Sequence, residues 1–256
     1  MTSAEFRKAL LTRQVTIGSW VQANSGTSAE ILARVGFDWI GIDMEHTDID
    51  NGALVDVLRA MRSGVPIVRV SSNDVITIRT ALDIGAQGVL VPLIGTATQA
   101  LAAVQAARFP PDGIRGFAFC RANNWGADFD QYVAEANQNL TVIAMIETKE
   151  GVENIDDILA VDGIDAIFIG PYDLSGSYGI PGQLSHSTVR EACRRVSEAC
   201  KRHGKSAGIH IIPQTSEAVQ TAVEDGFTLI CFGMDTVFLC NGARNAFDIA
   251  HAVADR

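Results

Sequence analysis

Short apolar runs rich in β-branched residues alternate along the chain with longer segments in which apolar residues recur every three or four positions. A short apolar run between turn residues is typical of a strand buried on both faces, whereas the longer spacing is typical of an amphipathic helix. The pattern predicts eight strands, at residues 16–21, 38–43, 65–70, 88–92, 141–146, 165–169, 206–211 and 228–232. It predicts nine helices, at residues 28–35, 51–63, 75–84, 96–107, 129–137, 152–159, 188–203, 216–224 and 235–252.

This regular alternation of about eight strand–helix units predicts an α/β protein with a single (β/α)8 barrel, one domain over residues 1–256. Such a barrel typically takes about 250 residues. A doubly wound parallel sheet is the alternative fold. No GxGxxG or GxxxxGK[ST] follows any predicted strand, which excludes the usual dinucleotide and P-loop sites.

Charge and composition narrow the classes of partner. The chain has 20 Lys and Arg residues against 30 Asp and Glu residues, a net charge of -10, which disfavours a broad nucleic-acid or anionic-membrane surface. The longest charge-free segment, residues 84–107, contains Pro92 and Gly95 and is interpreted as strand, loop and helix rather than a membrane span. No secretory signal is visible, and the five cysteines contain no CxxC pair, so we expect a cytoplasmic protein with reduced thiols.

Ionisable residues follow the second and third predicted strands. Asp43, Glu45 and His46 come directly after an apolar strand, and Arg69 ends the next one. Because the carboxyl ends of barrel strands meet at one rim, these groups could bring a base together with carboxylates that orient it. The alternative is a solvated loop that caps the following helix. Arg69 lies between β-branched residues and needs an anionic partner, either a structural carboxylate or a substrate anion.

The fifth and sixth strands end in Glu147 and Asp173, which we expect at the same rim. Two hard oxygen ligands that leave positions for water or substrate are typical of Mg2+ or Mn2+ sites. The alternative is that Glu147 begins a helix and Asp173 caps a turn. Backbone N–H groups near Gly170 and Pro171 could bind a carboxylate. His210 is interpreted as a core histidine that could reach the barrel mouth.

Several stretches of the chain match one known family in order. They are GSW at 18–20, GFDWIGIDMEH at 36–46, PIVRV at 66–70, ALDIGAQGVLVP at 81–92, GIRGFAFCRANNWG at 113–126, residues 145–179, and GMD at 233–235. With these stretches the chain resembles the HpcH/HpaI family of class II, metal-dependent 2-oxo acid aldolases. The resemblance implies a (β/α)8 barrel assembled as a homohexamer, with the C-terminal helix exchanged between neighbouring subunits.

The resemblance also implies roles for individual residues. Glu147 and Asp173 would bind a divalent metal, Mg2+, Mn2+ or Co2+. Arg69 would hold the 2-oxo group and its enolate, and His46 would exchange a proton with the aldol hydroxyl. Asp83 would reach the His46 of an adjacent subunit. The remaining implied residues are the orienting carboxylates Asp43 and Glu45, the substrate contacts Trp20, Gly170, Pro171 and Tyr172, and the loop contacts Arg121 and Asn124.

The activity that the resemblance implies is the reversible cleavage of a 4-hydroxy-2-oxo acid, such as a 2-keto-3-deoxy sugar acid, to pyruvate and an aldehyde through a metal-bound enolate. Two residues depart from the pattern. Tyr172 stands where many relatives have a small residue, and Asn124 stands where many have a basic one. The loss of that cation favours a neutral hydroxylated chain over a distal carboxylate on the substrate.

Three other functions are consistent with parts of the sequence. A CoA-ester lyase of the citramalyl or malyl type would share the barrel and the metal, but needs a basic diphosphate site. A Schiff-base aldolase needs a desolvated lysine at a strand end, and only Lys149 lies near the rim, beyond its strand. A non-catalytic barrel predicts the loss of site residues, yet Arg69, His46, Glu147 and Asp173 are all present.

Overall fold

The computed structural model describes residues 1–254, so the last two residues of the predicted domain lie outside the described residues. Eight parallel strands form a closed barrel in which each strand pairs with the next and β1 pairs with β8. The predicted (β/α)8 barrel is confirmed. The strands are β1 Thr16–Val21, β2 Trp39–Asp43, β3 Val65–Arg69, β4 Gly88–Val91, β5 Thr141–Ile146, β6 Ala166–Ile169, β7 Ser206–Ile211 and β8 Leu229–Met234.

Helices connect the strands and cover the outside of the barrel. They are α1 Ser3–Leu11, α2 Gly26–Val35, α3 Asn51–Ala60, α4 Val75–Ile84, α5 Ala97–Ala107, α6 Phe129–Asn139, α7 Lys149–Glu153, α8 Ile155–Leu159, α9 Pro171–Ser177, α10 Ser187–Arg202, α11 Ser216–Glu224 and α12 Asp235–Ala254, with a 3-10 helix at Arg121–Gly126. No helix within residues 1–254 combines the length and the apolar character that a membrane span requires. The five cysteines are free thiols, as expected.

The first helix, α1, was missed by the strand–helix alternation because it precedes the first strand. Its signal is a capping box, in which the Glu5 N–H donates to Thr2 Oγ1 and the Thr2 N–H donates to the Glu5 carboxylate. Phe6 and Leu10 on this helix are fully buried in the interior cluster of the barrel. The helix therefore closes the amino-terminal end of the barrel.

Two other segments differ from the predicted helices. Residues 152–159 form parts of two short helices, because Asn154 leaves the helical conformation and donates a hydrogen bond of 2.8 Å to the Gly95 carbonyl. The loop after β6 contains α9, which was not predicted and which begins with Pro171 at its first position. Both differences concern segments at the carboxyl-terminal rim.

The barrel interior depends on two tryptophans that each occupy the space above a glycine. A Cβ atom built on Gly18 would overlap the indole of Trp39, and a Cβ atom built on Gly41 would overlap the indole of Trp20. Both tryptophans are almost completely buried. The glycines thus allow two large rings to lie among the aliphatic, aromatic and sulfur-containing side chains of the barrel interior.

We expect the substitution Gly41→Ala to lower the free energy of unfolding by about 1–3 kcal/mol, because the added methyl group must displace Trp20. Urea denaturation followed by circular dichroism measures this change. Gly176→Ala on α9 is the matched control, since Gly176 is exposed and a Cβ atom there meets nothing within 4 Å. Equal unfolding midpoints for the two variants would contradict the role assigned to Gly41.

Candidate active site

A cavity of about 230 Å3 opens at the carboxyl-terminal rim of the barrel. The strand ends after β1, β3, β6, β7 and β8 contribute to its wall. Six residues that were predicted from the sequence line it, namely Trp20, Arg69, Gly170, Pro171, Tyr172 and Asp173. The structure thus brings the predicted substrate contacts into the wall of one cavity.

Arg69 is held rigidly on one side of this cavity. Its Nε donates to Asp43 Oδ1 at 3.0 Å, and its Nη2 donates to Asp43 Oδ2 at 2.6 Å. The guanidinium also lies over the Trp20 ring, 5.2 Å from the ring centroid. A fork-to-fork pair with a planar stacking surface fixes both the position and the orientation of an arginine. Arg69 therefore has a structural carboxylate partner, one of the two predicted alternatives, while its side chain keeps 11% of its surface exposed.

Asp43 supports this arrangement from the end of β2. Its side chain is fully buried, and its Oδ1 also accepts the backbone N–H groups of Glu45 and His46. Burial alone would raise the pKa of Asp43, but the hydrogen bonds and charge of Arg69, with the two N–H groups, lower it below its ordinary value. Asp43 is thus an ionised anchor for Arg69 and for the turn after β2.

Glu45 and His46 follow on that turn. His46 Nε2 lies 3.6 Å from Glu45 Oε2, and the imidazole is 61% exposed. Arg69 Nη1 lies 3.2 Å from the same Glu45 oxygen, close enough for ionic attraction, although the oxygen has no hydrogen bond of good geometry within residues 1–254. Burial raises the pKa of Glu45, and the charges of Arg69 and His46 oppose that rise. Glu45 therefore links the exposed histidine electrostatically to the arginine.

The two predicted metal ligands lie near each other across β5 and β6. Glu147 Oε1 accepts the Leu93 N–H at 2.7 Å, and Asp173 stands exposed on the cavity wall in the first turn of α9. Burial raises the pKa of Glu147, the Leu93 N–H lowers it, and the charges of Glu45 and Asp173 raise it further. Negative charge is therefore concentrated at this side of the rim, and the charge of Arg69 offsets part of its effect on the pKa of Glu147.

These residues fit a hard divalent cation. Within residues 1–254 no group of three or more His, Cys, Asp and Glu side chains is placed to enclose a metal. Two carboxylate ligands alone would leave further coordination positions to water or a ligand. Gly170 keeps one side of Glu147 open, because a Cβ atom built there would come within 3.1 Å of Glu147 Oε2. Glu147 is buried and Asp173 is exposed on the cavity wall, and a bound cation would offset the repulsion between the two carboxylates.

Three predicted residues lie elsewhere in the chain. Asp83 is near the end of α4, which returns from the rim to the opposite end of the barrel, and it accepts a hydrogen bond of 2.7 Å from buried Arg115. Arg121 donates to the Ile84 carbonyl at that same end. Asn124 donates to Asp128 at 2.7 Å. Within one subunit, the structure does not bring these residues to the cavity.

Sequence reasoning missed Gln22 and Leu93. Gln22 lines the cavity, lies within 3.4 Å of Asp43, and has its backbone N–H bound by Asp235. Leu93 has a positive φ of 55°, an unusual conformation for leucine, and presents its N–H to Glu147. Gln22 directly follows a predicted strand and could have been found on that basis, whereas the sequence carries no signal for the turn at Leu93.

Comparisons with known proteins identify the family of this chain. The family model described as HpcH/HpaI aldolase/citrate lyase matches residues 16–242. The chain is 37% identical over 233 residues to the 5-keto-4-deoxy-D-glucarate aldolase of Klebsiella pneumoniae, covering 90% of each chain. The Escherichia coli K12 protein of the same name is 38% identical over 234 residues, again with 90% of each chain covered.

A solved structure shows the same relationship. The HpcH/HpaI aldolase/citrate lyase family protein from Burkholderia cenocepacia J2315 is 34% identical, superposes with a TM-score of 0.92, and is matched over 97% of this chain and 99% of its own. The extent of these matches confirms the resemblance inferred from the rim motifs. The chain belongs to the HpcH/HpaI aldolase/citrate lyase family and is a carbon–carbon lyase of the aldolase type.

Proposed function

We propose that this protein is a divalent-metal-dependent aldolase that cleaves a 4-hydroxy-2-oxo acid of the keto-deoxy sugar acid class to pyruvate and an aldehyde. The observation that carries the proposal is the guanidinium of Arg69, which is clamped by Asp43 and lines the same cavity as Asp173. The names of the relatives, 5-keto-4-deoxy-D-glucarate aldolases, support the substrate class.

The cavity offers separate positions for the two ends of a 2-oxo acid. α9 begins at Pro171, so the N–H groups of Tyr172 and Asp173 have no acceptor within the helix and can bind the substrate carboxylate. Arg69 would then face the 2-oxo oxygen. A preorganised cation at this atom stabilises the negative charge that develops there as the enolate forms.

Bond cleavage requires one proton transfer at the C4 hydroxyl. Glu45 Oε2 lies 3.6 Å from Nε2 of His46, and its negative charge would favour a proton on that nitrogen, which leaves Nδ1 as the base. Nδ1 takes the hydroxyl proton as the C3–C4 bond breaks, C4 becomes the aldehyde carbon, and the bond electrons move to C3 and the 2-oxo oxygen beside Arg69. The proton taken up by Nδ1 then returns through water to C3, which gives pyruvate and restores the neutral imidazole. Condensation is the reverse sequence.

Glu147 and Asp173 would hold the divalent cation, for which we propose Mg2+, Mn2+ or Co2+. When bound, such an ion supplies Lewis-acid stabilisation of negative oxygen atoms on the substrate. Glu147 is positioned for this by the Leu93 N–H, which fixes one carboxylate oxygen and leaves the other directed past Gly170.

The positions of the lysines argue against a Schiff-base mechanism. None of the four lysines, all within residues 1–254, lines the cavity. Lys149 is 58% exposed and lies 3.6 Å from Glu153 on the outer surface of α7. An exposed amine lacks the desolvated pocket that activates the lysine of a Schiff-base aldolase.

A pyruvate-release assay over a panel of 4-hydroxy-2-oxo acids, with and without EDTA, tests the proposed function. We expect cleavage of at least one keto-deoxy sugar acid, its loss with EDTA, and its recovery on addition of Mg2+, Mn2+ or Co2+. Incubation with pyruvate and borohydride is the control for a Schiff base and should leave activity intact. Metal-independent cleavage, or no cleavage of any member of the panel, would refute the proposal.

We also propose that the active subunit is part of a homohexamer that exchanges α12. Every residue from 239 to 252 on this helix is exposed, including Leu239 at 74% and Phe247 at 60%. An isolated helix with exposed large apolar residues is stabilised only by a partner. A neighbouring barrel of the same kind offers that partner.

A second surface supports the assembly. The excursion between α5 and α6 exposes Ile114, Phe117, Phe119 and Trp125 close to Asp83 and its partner Arg115. We propose that this apolar surface contacts a neighbouring subunit and brings Asp83, Arg121 and Asn124 towards the neighbour's rim. The predicted contact of Asp83 with His46 is possible only in this way, because the two lie at opposite ends of one barrel.

The double substitution Leu239→Asp and Phe247→Asp should dissociate the assembly, because it places two charges in an apolar contact. We expect light scattering after size-exclusion chromatography to give about six times 27.4 kDa for the parent protein and a smaller mass for the variant. Asn241→Asp, an exposed change on the other side of the same helix, is the control and should keep the parent mass. A parent protein of 27.4 kDa would refute the exchange.

A further inference from the structure

His210 has a place in the cavity that the proposed reaction does not use. It lies on β7, and its ring borders the cavity together with Trp20, Arg69 and Ile212. The imidazole stacks on the Trp20 indole with ring centroids 5.7 Å apart and an interplanar angle of 26°. The ring is therefore fixed in the wall rather than free to rotate into solvent.

One hydrogen bond determines which nitrogen carries the proton. His210 Nε2 lies 2.9 Å from the Gly233 carbonyl oxygen. A carbonyl oxygen can only accept, so Nε2 is the donor, and in the neutral ring Nδ1 carries the lone pair. Nδ1 makes no hydrogen bond within residues 1–254, and it is not among the side-chain atoms that are buried without a partner. It is an accessible acceptor.

The surroundings keep this ring neutral. Burial lowers the pKa of His210 below its ordinary value, the hydrogen bond to Gly233 opposes this, and the charge of Arg69 lowers the pKa further. A second proton on Nδ1 would also place a cation in a wall that already contains Arg69. At neutral pH the ring therefore accepts a hydrogen bond rather than donating a second one.

A ligand needs a hydrogen-bond donor to use such an acceptor. The carboxylate, oxo and aldehyde oxygens of an aldol substrate are acceptors, so only a hydroxyl group can pair with Nδ1. We propose that Nδ1 of His210 accepts a hydrogen bond from a ligand hydroxyl and so makes the cavity selective for hydroxylated over deoxy ligands. The same lone pair disfavours a carboxylate or oxo oxygen at that position. This inference rests on the proposed function for the class of ligand.

The hydroxyl could belong to the 2-oxo acid or to the aldehyde, and matched pairs of compounds distinguish the two sources. Pyruvate and 3-hydroxypyruvate form the first pair, compared by calorimetric affinity in the presence of Mg2+. Acetaldehyde and glycolaldehyde form the second pair, compared by kcat/KM for condensation with pyruvate. In at least one pair we expect the parent protein to prefer the hydroxylated member, and His210→Leu to lower that preference about fivefold.

Two further variants distinguish recognition of a ligand hydroxyl by His210 from a purely structural role of this residue. His210→Asn keeps an acceptor oxygen near the position of Nδ1 and should retain more of the preference than His210→Leu, even if the leucine variant folds poorly. Ile212→Ala removes an apolar part of the same wall and should affect both members of a pair equally. Thermal unfolding of each variant measures separately how much the hydrogen bond from His210 Nε2 to the Gly233 carbonyl stabilises the protein.

The ring of His210 also borders an outer groove lined by Val189, Ile209 and Phe227. If His210 served only that groove, His210→Leu would leave both preferences unchanged, which would overturn the inference. An equal loss for both members of each pair would overturn it too. The calorimetric pair does not require turnover, so an inactive parent protein that still prefers 3-hydroxypyruvate through His210 would refute the proposed function and keep the inference.

Discussion

Replacing Arg69 with lysine should lower kcat/KM for pyruvate release by about 100-fold to 1,000-fold, the range found when one preorganised donor to a developing oxyanion is removed. Lysine keeps the positive charge, but its single ammonium cannot bind both Asp43 oxygens at 2.6 and 3.0 Å and still face the cavity. The decrease in kcat/KM would therefore reflect the loss of the guanidinium geometry, because the positive charge is kept. The coupled pyruvate-release assay gives the rate.

The control for this prediction is another arginine-to-lysine change on the surface. Arg34 pairs with Glu30 on the exposed side of α2, where ion pairs contribute about 0–1 kcal/mol to stability. Arg34→Lys should keep the parent activity. Thermal unfolding must accompany both variants, because Asp43 is fully buried and its ion pair stabilises the rim as well. Parent-like kcat/KM in a folded Arg69→Lys variant would contradict the assignment of Arg69 to the oxo oxygen.

Replacing Glu147 with glutamine should abolish the stabilisation of the protein by Mn2+ and lower activity by at least about 100-fold, since even indirect metal contacts contribute up to that factor. Glutamine has nearly the same shape, and its side-chain oxygen can still accept the Leu93 N–H. The variant therefore removes one negative charge while the turn after β4 stays in place. Thermal or urea unfolding with and without Mn2+ measures the effect.

The stability expected of the Glu147→Gln variant without metal follows from the pKa of Glu147, which is raised mainly by burial. A carboxyl group whose pKa is raised by folding destabilises the native state once it ionises at neutral pH. Without metal, the free energy of unfolding of the Glu147→Gln variant should thus be at least as large as that of the parent protein. At Mn2+ concentrations 100 times the Kd, only the parent should gain about 2.7 kcal/mol in the free energy of unfolding.

Glu153→Gln is the matched control for this second prediction. Glu153 is exposed on α7 and pairs only weakly with Lys149. Its variant should respond to Mn2+ as the parent does. A Glu147→Gln protein that gains as much stability from Mn2+ as the parent would show that the ion binds elsewhere.

The barrel was predictable because buried parallel strands need continuous apolar runs, and eight such runs alternate with helical spacing. The rim residues were predictable for the same reason, since Arg69, Glu147 and Asp173 each follow the end of an apolar run. The interior positions of Gly18 and Gly41 were not predictable, because each depends on a tryptophan from a neighbouring strand. Only the pairing register brings those residues together.

The sequence by itself determined the fold, the family and the set of ionisable groups at one end of the barrel. Tertiary structure decided how those groups pair: Asp43 with Arg69, Glu147 with the Leu93 N–H, and Asp83 with Arg115 at the opposite end. His210, which was expected in the core, lines the cavity wall in the folded protein. The physical reason is that a strand end specifies the rim on which a side chain lies, whereas its partner depends on the twist and register of strands far apart in sequence.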